Sequence, residues 1–223
     1  MFQQNFKELI LVTKSEYEFS NQWFENTAKR VWDNLIPKIN PTRILEIGSF
    51  EGKSTCYLID MLAQKKQIEI YCVDSWEGGF EHQKGQNAEA NLPLVEKRFR
   101  HNTQLAIKNA KNDVELVIHK GWSDAVLSKL IAEEKQNYFD FIYVDGSHCA
   151  PDVLCDAVLG FRLLKKNGFM FFDDYLWSNQ QPLKLDPIQC PKLAIDAFTN
   201  IYARKIIIIR AILYQLYIQK IDD

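Results

Sequence analysis

RILEIGSFEGKSTCYLIDMLAQKKQIEIYCVD, residues 43–74, decides the fold. RILEIG (43–48) is a short apolar run with one internal acid, the pattern of a buried strand. Gly48 and Gly52 allow a sharp turn, and GKSTCYLIDMLAQ (52–64) then reads as a helix. IEIYCVD (68–74) is the next strand. A strand, a glycine turn, a helix and a second strand make a unit whose two strands pair in parallel.

The alternation continues on both sides. Upstream, Phe19 to Ile36 carry Trp23, Phe24, Ala28, Val31, Trp32, Leu35 and Ile36 at helical spacing, with Ser20 as a cap and Pro37 as a stop. Downstream, a polar stretch from Ser75 to Asn91 leads to a helix over Pro93–Lys111, the strand VELVIH (114–119), a helix over Ser123–Glu134 and the strand YFDFIYVD (138–145). Pro151 opens another helix. Lys165 and Lys166 stand where a helix C-terminus favours cations, and Asn167-Gly168 ends that helix before FMFFDD (169–174). Pro191–Tyr202 is helical in pattern, and 205–220 reads as two strands broken at Arg210-Ala211, with one helix as the alternative. A mostly parallel sheet covered on both faces follows.

The chain has 223 residues, 27 Lys+Arg against 29 Asp+Glu and a net charge of -2. With 47% hydrophobic and 25% charged residues it is unlike a disordered chain, a collagen or a coiled-coil rod. The balance lacks the basic excess of a protein held to nucleic acid by phosphate contacts. The N-terminus has too short an apolar run for a signal peptide or a membrane span. The five cysteines form no CxxC pair and read as reduced thiols in a cytoplasmic core. No repeat or linker divides the chain, so 1–223 is expected to be a single domain, a helical extension over 1–40 preceding the core at 41–223.

Ligands of open α/β sheets bind beyond the carboxyl ends of the strands. The first such end, LEIGSFEGKST (45–55), nearly matches two nucleotide motifs. Phe50 interrupts GxGxxG, and Ile47 stands where the P-loop ending in Gly52-Lys53-Ser54 needs its first glycine. An NAD or nucleoside-triphosphate enzyme is therefore disfavoured. What remains is Glu46 before the turn and Asp74 at the end of the next strand, acids suited to an amino group and ribose hydroxyls. The alternative makes Glu46 a helix cap and Asp74 a solvated turn residue.

At these residues the sequence resembles the class I S-adenosylmethionine-dependent methyltransferases, from about residue 40 to about residue 220. LEIGSFEGKS, CVDSW, GWSDAVL, FDFIYVDGSH and GFMFFDDY carry the resemblance. It implies a Rossmann-like, doubly wound α/β fold: a mostly parallel seven-stranded sheet, helices on both faces and a C-terminal antiparallel strand. It places Glu46, Gly48 and Ser49 near the methionine part of the cofactor, with Gly52 and Ser54 also in the cofactor set. Asp74 falls on the ribose, Ser75 or Trp76 beside the adenine, and Gly121, Trp122, Ser123 and Asp145 complete the cofactor set. The GSFEG form is similar to the branch of small-molecule O-methyltransferases that use a divalent metal.

The metal is also argued from the residues themselves. Asp145 ends one strand and Asp173 with Asp174 ends the next, so neighbouring strands bring three carboxylates to one edge. Two carboxylates about 4 Å apart repel by roughly 4 kcal/mol at an effective dielectric near 20. A hard dication such as Mg²⁺ is the simplest neutraliser. Beside them His148, in Asp145-Gly-Ser-His, has the chemistry of a base for an alcohol made more acidic by a metal; a surface or capping histidine is the alternative.

DGSH and FFDD together resemble bacterial sugar O-methyltransferases of the macrolide-antibiotic type. That resemblance implies Mg²⁺ on Asp145, Asp173 and Asp174, with His148 as the base. Asp173 is a shorter ligand arm than a glutamate there.

WEGGFEHQKGQNAEAN (76–91) suits a lid, with Glu81 and His82 near the substrate. Tyr175 and Trp177 either stack on the acceptor or pack in the core, and Lys97, Arg98 and Arg100 read as a solvated helix face. The expected activity is O-methylation of a small-molecule hydroxyl, sugar or polyhydroxylated natural product, by a cytoplasmic protein with no nucleic-acid or membrane partner, homo-oligomers being allowed. Non-catalytic or metal-independent cofactor binding on the same fold is the alternative.

Overall fold

The computed structural model describes residues 16–79, 82, 84–86, 88–178 and 186–223. Its strands are β1 (Arg43–Ile47), β2 (Ile68–Asp74), β3 (Val114–Lys120), β4 (Phe139–Val144), β5 (Leu164–Phe172), β6 (Ile206–Ile208) and β7 (Leu216–Lys220). Its helices are α1 (Trp23–Thr27), α2 (Lys29–Ile39), α3 (Lys53–Leu62), α4 (Leu92–Asn109), α5 (Ser123–Ala132), α6 (Ala150–Leu163) and α7 (Pro191–Ile201). The strands form one seven-stranded sheet in the order β3-β2-β1-β4-β5-β7-β6. β1 to β5 pair in parallel, and β7 runs antiparallel to both β5 and β6. This is the expected Rossmann-like α/β sheet with its reversed strand near the C-terminus. The winding changes direction between β1 and β4, which opens a crevice at their carboxyl ends.

Alternation along the strands divides the core between the two faces. Leu45, Ile47 and Val73 face Leu127, Val153, Phe161 and Phe198, from α5, α6 and α7. Ile44, Ile70, Phe141 and Phe171 face Trp32, Ile59 and Phe99, from α2, α3 and α4. Among the described residues no helix is long and apolar enough to cross a membrane, and all five cysteines are free thiols.

Several local expectations are corrected. The N-terminal helical stretch is two helices, and Pro37 lies inside α2 instead of stopping it. A proline this near the end forfeits one backbone bond, and Asn40, at φ 47°, closes the helix with its N–H on the Ile36 carbonyl. Ser20 caps nothing: Asn21 Oδ1 accepts from the Trp23 N–H, and the Ser20 N–H goes to Glu51.

Lys165, Lys166, Asn167 and Gly168 belong to β5, where the register against β4 shifts between Phe139 and Phe141. Besides Arg162 in its own last turn, α6 is met at its end by Lys220 of β7. This lysine is buried and donates to the Phe161 and Leu164 carbonyls and to Asn137.

Candidate active site

The loop from β1 to α3 is held by two acids. Glu46 is fully buried and accepts from Ser49 Oγ at 2.6 Å, Ser54 Oγ at 2.5 Å and Thr55 Oγ1. Burial raises its pKa, and these hydroxyls with the Cys72 thiol act in the opposite direction. Asp74 Oδ2 accepts the backbone N–H groups of Ser49 and Phe50 at 2.9 and 2.8 Å, and its Oδ1 accepts that of Trp76 at 2.7 Å. These bonds hold Phe50 in the left-handed region at φ 46°, a conformation that needs such support. Gly48, at φ +84°, meets β4 directly: a Cβ there would lie 2.1 Å from the Asp145 carbonyl oxygen. Only glycine permits that approach.

The other expected cofactor residues lie around this loop. Trp76 is 6% exposed, donates its indole N–H to the Phe50 carbonyl at 3.0 Å and packs on Phe99. Its ring is committed to the interior. Ser75 is half-buried and accepts the Glu77 N–H. The Gly121 N–H bonds the Asp74 carbonyl at 3.0 Å, which brings the loop after β3 against the end of β2. Trp122 is 57% exposed there, and Ser123 begins α5.

β4 and β5 are parallel neighbours, with Val144 opposite Phe172. The residues following them, Asp145, Asp173 and Asp174, each offer a carboxylate oxygen within 4.8 Å of the others. All three are half-buried. Lost hydration, then the charges of Asp173 and Asp174, push the Asp145 carboxyl well above its usual range. Lost hydration and Asp174 push Asp173 up to about 6. Three hard oxygen donors this close together fit a dication such as Mg²⁺.

His148 Nε2 lies 2.8 Å from Asp174 Oδ2, and its ring stacks on Trp177 at 4.0 Å. Tyr214 donates to the other oxygen of Asp174 at 3.0 Å. Asp145, Ser147, His148, Asp173, Asp174 and Pro191 line one cleft.

The remaining candidates divide. Tyr175 is core, its hydroxyl donating to Asp196 at 2.8 Å. His82 stacks on Phe50, and Glu81 lies outside the described residues. Arg98 is not on a solvated face, because it pairs at 2.8 Å with Glu51, whose side chain is 2% exposed.

Sequence reasoning also passed over Asp156, a buried acid neither of whose oxygens completes a side-chain hydrogen bond. Burial pushes it up to about 7, Ser123 opposes this, and the charges of Asp152 and Asp124 add to it. The signal was present: Val153, Asp156, Ala157 and Gly160 share the buried face of α6.

A family model described as “Methyltransferase domain” matches residues 45–175, more than half of the chain and the span from β1 to just past Asp174. The chain belongs to this methyltransferase-domain family. Among curated proteins it is 26% identical over 174 residues to “Probable caffeoyl-CoA O-methyltransferase 3” of Dictyostelium discoideum, covering 77% of this chain and 59% of that one. It is 23% identical over 175 residues to “Caffeoyl-CoA O-methyltransferase” of Populus kitakamiensis, covering 78% and 64%. The chain thus spans less than two thirds of the length of either relative. The methyltransferase-domain fold is shared with the crystal structure of an O-methyltransferase from Bacillus cereus in complex with SAH. The TM-score is 0.58 at 17% identity, over 94% of this chain and 84% of that one.

Proposed function

We propose that this methyltransferase-domain chain transfers the sulfonium methyl group of S-adenosylmethionine to a hydroxyl of a small molecule, with Mg²⁺ held by Asp145, Asp173 and Asp174. The observation that carries this reading is the convergence of three carboxylates and His148 at the sheet edge, in backbone contact with the Gly48 loop. The methionine part of the cofactor is assigned to Gly48, Ser49, Gly52 and Ser54. Asp74 and Ser75 take the ribose side, and Gly121, Trp122 and Ser123 the adenine side. Glu46 acts by holding the loop, and Trp76 by supporting Phe50.

Bound at the three acids, the cation would offset their repulsion and make the acceptor hydroxyl more acidic. His148, oriented by Asp174 and Trp177, takes the hydroxyl proton. The oxygen forms its bond to the methyl carbon as the carbon–sulfur bond breaks, and the electron pair leaves on sulfur as a neutral thioether. Positioning supplies much of the acceleration in such a displacement. The names of the two curated relatives favour a phenolic acceptor, whereas the DGSH and FFDD pair favours a sugar hydroxyl.

Calorimetric titration with S-adenosylmethionine and S-adenosylhomocysteine, with and without a chelator, tests the reading. Both are expected to bind, and labelled methyl transfer to a panel of catechols and sugars is expected to stop on chelation. Binding of neither would sink the proposal. Turnover that survives chelation would remove the cation and leave the methyl transfer.

A further inference from the structure

The hydrogen bonds beneath Asp173 form a chain whose direction is set at its far end. Trp32 of α2 donates its indole N–H to Gln215 Oε1 at 2.9 Å. An indole nitrogen only donates, so the amide oxygen of Gln215 must face it. The Tyr217 hydroxyl donates to the same oxygen, also at 2.9 Å. The amide nitrogen is thereby turned onto the Tyr143 hydroxyl at 3.2 Å. Because that hydroxyl oxygen accepts from Gln215, its single proton is left for Asp173 Oδ2. The other oxygen of Asp173 accepts the Asp174 backbone N–H at 2.8 Å. Trp32, Tyr143, Gln215 and Tyr217 are all buried, so solvent does not offer competing partners.

We propose that Gln215 and Tyr143 are positioning residues for the cation site, fixing the plane of the Asp173 carboxylate so that its remaining lone pairs stay available beside Asp145 and Asp174. The proposal rests on the reading of the three acids as a cation site. Packing alone does not account for Gln215. Its surroundings are Trp32, Tyr143 and Tyr217, among rings that include Phe141 and Phe171, where an apolar side chain of similar volume would avoid the desolvation cost of an amide. The amide is satisfied on both of its ends, and the chain it completes terminates on a carboxylate of the cluster. It also joins α2, β4, β5 and the start of β7, elements far apart in sequence, at one oxygen of one acid. A partner such as Tyr143, one step behind a metal ligand, typically changes metal affinity by roughly 10- to 100-fold when removed, and Gln215 acts through it.

The test uses Mn²⁺ as the probe, in the full chain and in the variants Tyr143→Phe and Gln215→Met. Mn²⁺ affinity and the electron paramagnetic resonance spectrum of the bound ion are measured with S-adenosylhomocysteine affinity and thermal midpoint on the same samples. Both variants are expected to weaken Mn²⁺ by about 10-fold or more and to alter the spectrum, with S-adenosylhomocysteine affinity unchanged. Tyr143→Phe removes one oxygen and keeps the ring, so it carries the test if Gln215→Met does not fold. Unchanged Mn²⁺ affinity in a folded variant overturns the proposal while leaving the cation site standing. Parallel loss of Mn²⁺ affinity, cofactor-product affinity and thermal midpoint also overturns it, since that is the signature of a merely structural role. A wild-type chain that binds no Mn²⁺ overturns the cation site and this proposal together.

Discussion

Two groups of acids lie on either side of the Gly48 contact, and they are built in opposite ways. Glu46 and Asp74 are supplied with donors by the chain itself, hydroxyls for the first and backbone N–H groups for the second. Asp145, Asp173 and Asp174 face one another, and the raised carboxyls of Asp145 and Asp173 record the cost in charge. The first group shapes a loop, and of its two acids only Asp74 is also assigned to the cofactor. The second has an excess of acceptors that a positive charge would relieve. Donors reach both groups, Tyr143 and the Asp174 N–H serving Asp173 and Tyr214 serving Asp174, so what separates them is the crowding of charge within the second.

The largest expected effect comes from matching the second group with an amide. Asp145→Asn is expected to lower methyl transfer on the order of 1,000-fold, about 4 kcal/mol, while raising stability to urea in the absence of metal. Loss of stability instead would erase the contrast with Glu46.

Asp156 extends the comparison to a buried acid without donors and outside the cluster. Its carboxyl is raised from 3.8 to about 7 in the fold. The neutral acid is the form the fold favours, so its contribution is fully present below about pH 4 and is lost as pH rises through about 7. Urea unfolding from pH 4 to 8 is expected to show that loss, up to about 4 kcal/mol, and Asp156→Asn to flatten it. An identical pH profile in the variant would show that missing donors do not control this acid.

Next, Glu46→Ala strands the hydroxyls of Ser49, Ser54 and Thr55 and is expected to cost about 3 kcal/mol in equilibrium unfolding. A neutral outcome would move Glu46 out of the group that shapes the loop. The smallest effect is that of the cation on the fold. Mg²⁺ at 100 times its dissociation constant is expected to stabilise the wild-type chain by about 2.7 kcal/mol and Asp145→Asn by far less, read in the same urea titrations.

The parallel sheet was legible because its strands other than β3 are largely buried and read as apolar runs, and acids mark where the runs of β2, β4 and β5 stop. The same logic located Glu46, Asp74, Asp145, Asp173 and Asp174. What it missed is tertiary. Trp32 and Gln215 are 183 positions apart and meet through an indole and an amide that no local period announces. Lys220 takes the helix-end role assigned to Lys165 and Lys166 because β7 runs back past α6, a path set by strand order and not by nearby sequence. Arg98 was read as solvated because its partner, Glu51, comes from the glycine turn and is buried there.

The close approach at Gly48 has a further consequence under the proposed reaction. With no side chain between the β1–α3 loop and the backbone of Asp145, the spacing between the proposed cofactor loop and the first of the three acids rests on a single missing carbon. Gly48 is then the spacer between the loop proposed for the methyl donor and the acids proposed for the acceptor side. Enlarging it would move the two halves of the reaction apart without touching a single group that performs the chemistry.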